Sequence, residues 1–163
     1  MLNLEVPQAA TSISNSDGSN PHILALPEGR QIAEFAFTLT LESIANNDSG
    51  GAGGALFDAV GREYSAYVGP GGDVHHVEFA TCVPGGPDGE QCTSMTGPVI
   101  TIGEPTQIRI VWSDDEIEVY ADSSVPVYVA PAPGAPVRAR FGMYADDDSA
   151  FRITADDAYL EYR

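Results

Sequence analysis

The sequence predicts an all-β protein of two antiparallel sheets packed as a sandwich. Three observations predict it. Twelve Pro and 17 Gly punctuate the 163 residues so closely that few intervals could hold three helical turns. Between them runs the two-residue alternation of half-buried strands. Turn signals recur about every 8–12 residues and separate about ten to twelve strand patterns. With neither an internal repeat nor a low-complexity tail, residues 1–163 read as one domain.

The strand patterns follow in chain order. "HILAL" comes first, then "EFAFTLTLESI", which puts Phe35, Phe37, Leu39 and Leu41 on one face and Ala36, Thr38, Thr40 and Glu42 on the other. "NNDSGGAGG" lacks the GK[ST] ending of a phosphate-cradling loop and reads as a connection. "REYSAYVG" and "DVHHVEFA" flank "PGG", a hairpin signal. "TQIRIVW" and "EIEVYAD" flank "SDD", "SVPVYVA" precedes the stiff "PAPGAP", and "VRARFGMYA" follows it. "AFRI" and "AYLEYR" are expected as two closing strands.

Charge narrows the partners. Seven Arg, no Lys and 24 acids give a formal net charge of −17. Such a surface repels nucleic-acid phosphates and anionic headgroups, so neither is an expected partner. No apolar run is long enough to span a bilayer as a helix. "MLNLEVPQ" lacks the basic and apolar regions of a secretory leader, which leaves a removed leader, release in a particle, or a cytosolic protein. Cys82 and Cys92 bracket a Gly/Pro-rich loop. A disulfide is the expectation, and free thiols or a zinc site recruiting His75 and His76 are the alternatives. A bridge would place the protein in an oxidising, extracellular setting.

The densest chemistry lies in "WSDDEIEVYAD". A two-residue Asp114–Asp115 turn would oppose Trp112 to Ile117, Ile110 to Val119 and Ile108 to Ala121, an apolar face for the core. Arg109 would then lie opposite Tyr120 and diagonal to Glu118 on the other face. An arginine beside Glu118 lowers its pKa, the wrong direction for a general acid. A glycosidase also needs two carboxylates across a sugar, one shielded from water, and nothing shields Glu116 or Glu118.

"PTQIRIVWSDDEIEVYADSS" resembles the central hairpin of concanavalin A-like and laminin-G-like jelly rolls. "VRARFGMYADDDSAFRITADDAYLEYR" is similar to their closing part, and "FAFTLTLESIANNDSGGAGGALFDAVGREYSAYVG" to their early strands. The resemblance runs from about Ile23 onward and is one of spacing and strand character. It implies a jelly-roll sandwich, with a glycan or protein ligand at one face or rim and often a calcium ion. The hydrolase branch carries an E-x-D-x-x-E pattern, and "DEIEVYAD" departs from it with Val119 and Tyr120 where further acids belong.

The resulting expectation is a non-catalytic, lectin-like recognition module outside the cell, contacting glycan through Arg109, Glu118 and Tyr120. A structural subunit of a virion surface or fibre, with homo-oligomer or particle assembly, is the alternative, and a glycan hydrolase or lyase is the third reading. Asp146, Asp147 and Asp148 could supply oxygens to calcium, or form a solvated loop. His75 and His76 are strand neighbours and point to opposite faces, one half-buried and one exposed, with His22 distant. Tyr64, Tyr67, Tyr120, Tyr128 and Tyr144 are candidates for stacking on sugars, or pack at sheet edges. Asn47-Asp48-Ser49 is a formal glycosylation sequon.

Overall fold

Phe35, Phe37, Leu39 and Leu41 alternate along one strand, and burying that stripe requires a second apolar surface facing it. A computed structural model shows how the chain supplies one. It describes residues 2–6, 23–24, 29–46, 50–69, 74–86, 89–145 and 150–163. All regular structure among them is strand, arranged in two six-stranded sheets.

The first sheet runs β1 (Leu2–Val6), β12 (Ala150–Tyr162), β3 (Ile32–Asn46), β8 (Pro105–Ser113), β9 (Glu116–Ala121), β10 (Tyr128–Pro131). The second runs β2 (Ile23–Leu24), β11 (Pro136–Ala145), β4 (Gly50–Asp58), β5 (Glu63–Gly69), β6 (His76–Gly86), β7 (Gly89–Val99). Every pairing is antiparallel. The β3 stripe meets Ala52 and Leu56 of β4, Tyr64, Ala66 and Val68 of β5, and Val77 and Phe79 of β6 in one core. Phe37 also meets Phe141 of β11 edge-on, with centroids 5.3 Å apart.

The β8–β9 hairpin has the expected register, with Trp112 opposite Ile117, Ile110 opposite Val119 and Ile108 opposite Ala121. Asp114 and Asp115 form its turn at φ 46° and 71°. Two consecutive positive φ values match the turn whose twist suits a two-residue hairpin, and Asp-Gly is a favoured pair there. Asp115→Gly is therefore expected to raise the melting temperature by a few degrees, about 0.5 kcal/mol. A lower midpoint in thermal unfolding would contradict this account of the turn.

The two closing strands expected from sequence are one strand, β12. Its register slips between Asp156, opposite Thr38, and Tyr159, opposite Ala36. Asp157 sits in the slip at φ 51°. This bulge resets the alternation and turns Tyr159 onto the outer face beside Glu34.

Candidate functional site

The outer face of the first sheet holds the residues expected to contact a ligand. Arg109 of β8 lies directly opposite Tyr120 of β9, its guanidinium carbon 5.0 Å from the ring centroid. The Tyr120 hydroxyl donates to Glu118 Oε2 at 2.7 Å, which raises the phenol's pKa. The carboxylate partner of Arg109 is Glu34 of β3 and not the diagonal Glu118 expected from the hairpin register. Arg109 donates through Nε to Glu34 Oε1 at 2.7 Å and through Nη2 to Oε2 at 2.9 Å, and the Tyr159 hydroxyl adds a third bond at 2.8 Å. Glu34 is only 8% exposed. Its pKa falls below the usual carboxylate range because Arg109 bonds the charged form, against the opposing pull of burial. Arg109, Tyr120 and Glu118 are thus brought together, each engaged with a protein neighbour.

Other expected positions resolve differently. Cys82 and Cys92 are register partners on β6 and β7 and form a disulfide. Glu90 lies near both sulfurs, but bonded sulfurs cannot ligate zinc. His75 and His76 are both half-buried, so neither is the exposed member expected of the pair. Tyr64 is buried in the core, and Tyr128 stacks on Phe79 while its hydroxyl meets that of Thr81 at 3.0 Å. Asp146, Asp147 and Asp148, His22 and the Asn47 sequon lie outside the described residues, as does the Tyr144 side chain.

The second sheet's outer face carries a constellation built from strands far apart in sequence. Register places Arg140, Ala55, Ser65, Ala80 and Ser94 side by side across β11, β4, β5, β6 and β7. Two residues to one side the row reads Gly142, Gly53, Tyr67, Glu78, Thr96. Two residues to the other side it reads Arg138, Phe57, Glu63, Cys82, Cys92. Ala55, Ser65, Ala80 and Ser94 make a floor of small residues between the flanking rows, whose Cα atoms stand about 13 Å apart, and Arg140 closes this furrow at its β11 end. Ala55 and Ala80 are buried at its floor.

The walls bear polar chemistry. Tyr67 donates its hydroxyl to Glu78 Oε2 at 3.0 Å. On the opposite wall Glu63 accepts through both oxygens from Nη2 of Arg140, which reaches over from the end of the floor row, at 3.2 and 3.1 Å. Burial raises the Glu63 pKa, although the Arg140 charge pulls it down. Arg138 and Arg140 both lie over the Phe57 ring, at 4.4 and 5.1 Å. His76 lies two residues along β6 from Glu78, on the same face. The furrow therefore offers a guanidinium, a phenol backed by a carboxylate, an imidazole, and a carboxyl whose protonated form burial favours. The signals were the alternation in "EYSAYVG", "HVEFATC" and "VRARF", which sets Glu63 with Tyr67, His76 with Glu78, and Arg138 with Arg140.

No family model and no curated protein sequence matches this chain. Solved structures do. An alginate lyase from Klebsiella pneumoniae superposes with a TM-score of 0.60 at 15% identity over 82% of this chain and 61% of that one. A tetrameric galectin from the ball sponge Cinachyrella gives 0.59 at 10% identity over 86% and 98%. The Crh5 transglycosylase gives 0.58 at 11% identity over 98% and 83%. The chain thus spans less than two thirds of the Klebsiella lyase. The expectation of a domain without catalytic activity is corrected by these similarities: alginate lyases and a transglycosylase share this fold with the chain. The acids legible in sequence, the exposed Glu116 and the half-buried Glu118, lie on β9, whereas the polar furrow lies on the opposite sheet. The fold itself is settled: the chain is a concanavalin A-like jelly roll.

Proposed function

We propose that the chain cleaves an acidic polysaccharide by β-elimination, with the glycan lying along the furrow of the second sheet. The observation that carries this reading is that Tyr67 stands on one wall of the small-residue floor while Arg140, at the floor's end, reaches Glu63 on the other wall. Arg140 exchanges Glu63 for the carboxylate of a uronate ring and neutralises it, which acidifies the adjacent C–H. Tyr67, polarised by Glu78, moves that proton from carbon to the glycosidic oxygen. The C–H electron pair becomes the new double bond as the C–O bond to the leaving sugar breaks. The two arginines over Phe57 supply positive charge where an anionic chain needs it on an acidic protein. The alginate lyases among the similar folds support this choice of reaction. The disulfide supports work in an oxidising compartment.

Turnover of a panel of acidic and neutral polysaccharides tests it. Acidic chains should yield unsaturated ends that absorb in the ultraviolet, and Tyr67→Phe should lower kcat about 100-fold. New reducing ends without that absorbance would replace elimination with hydrolysis, for which the raised pKa of Glu63 supplies the acid. Silence across the panel, or a full rate from Tyr67→Phe, would end the proposal.

A further inference from the structure

We infer that the chain pairs with a second copy of itself along the free edge of β7, and that this pairing joins two furrows into one track. Among the described residues β7 ends the second sheet, with β6 as its neighbour, and all of its 11 residues except Gly97 are exposed. The other sheet ends are short: β2 has 2 residues, β10 has 4 and β1 has 5. Its regular stretch, Gln91–Thr96, presents a row of backbone N–H and C=O groups ready to template another strand, and the register shifts and Pro98 beyond it limit the pairing to the middle of β7. On a chain of net charge −17, β7 holds one charged residue, Glu90. It is a stretch where two copies can meet with little of the repulsion that the rest of the surface imposes. Met95 at 42% and Val99 at 64% exposure add apolar area to bury there.

A strand paired antiparallel with its own copy is two-fold symmetric, so one patch serves both partners. With the axis at Ser94, Ser94 meets its own copy, Thr93 meets Met95, and Cys92 meets Thr96, within the regular part of β7. The two Glu90 carboxylates then stand about 26 Å apart, beyond opposite ends of the ladder. Directly opposed residues share a face, so the two furrow floors abut at Ser94. The track would run from Arg140 over Ala55, Ser65, Ala80 and Ser94 into the second copy, and out in reverse order to its Arg140. The joined track rests on the furrow reading above, whereas the pairing does not.

Sedimentation of the whole chain over rising concentration is expected to show a monomer–dimer equilibrium. Ser94→Glu and Ser94→Arg each place like charges at the axis and should weaken the dimer at least about tenfold. An equimolar mixture of the two variants should restore it as a heterodimer. A wild-type chain that stays monomeric, or a mixture that does, overturns the pairing. Long chains should bind more tightly as the dimer forms, and fragments shorter than one furrow should not; equal behaviour of the two overturns the joined track. Sedimentation needs no substrate, so a failure of the furrow's activity is told apart from a failure of the pairing.

Discussion

Gly54→Val is expected to lower the unfolding free energy by at least about 3 kcal/mol. Gly54 faces the core from β4, and a Cβ built there overlaps Cε1 of both Phe35 and Phe37. Neither ring has room to yield. Phe35 and Phe37 pack on each other with centroids 5.1 Å apart, and Phe37 is braced by Phe141. Both rings are 1% exposed, so relief requires the two sheets to part at their centre. Gly142 gives the contrast, because a Cβ there meets nothing within 4 Å. Gly142→Ala should stay within about 0.5 kcal/mol of the parent. Urea midpoints of the three proteins check this, and a Gly54→Val midpoint equal to the parent's would show that the sheets have slack between them.

The fold was legible because alternation is a local property. The stripe in "EFAFTLTLESI" and the turn in "SDDE" needed no knowledge of what lay opposite, and the β8–β9 register followed residue for residue. The sites were less legible because each is built from strands far apart in sequence. Glu34 and Arg109 are 75 residues apart, and within the hairpin alone the acid nearest Arg109 is Glu118. Arg140 and Glu63 are 77 residues apart and meet only because β4 lies between β11 and β5. The sequence showed that Arg138 and Arg140 share a face, but the sheet order decides which acids stand beside them. The bulge at Asp157 was hidden for another reason: one inserted residue breaks the period that otherwise marks a strand.

Arg109→Ala is expected to cost about 2–3 kcal/mol near neutral pH, and the loss should shrink on acidification. The substitution removes two bonds from a carboxylate that is 8% exposed, leaving Glu34 the Tyr159 hydroxyl. Stranding a buried charge in this way costs several kcal/mol, and the 35% exposure of the Arg109 side chain lowers that figure. In the parent, Arg109 holds the Glu34 pKa below its ordinary value of 4.5. The charged pair therefore contributes stability in full above about 4.5, and that contribution is lost as pH falls through the lower folded value. In the variant, burial without a counter-ion pushes Glu34 the other way, and protonation removes the penalty. The gap between the two proteins should be widest near pH 7 and begin to close above 4.5, as pH falls through the raised Glu34 pKa of the variant. It should close further below about 4.5 as the parent loses its ion pair, read from urea unfolding at both ends. Arg109→Lys keeps the charge but not the two-pronged donor and should fall between them. Glu34→Gln should also weaken the parent near neutrality, whereas Glu118→Gln leaves the Arg109–Glu34 bonds intact and should cost little. A gap that does not change with pH, or a larger loss from Glu118→Gln than from Glu34→Gln, would mean that Arg109 answers to a different acid.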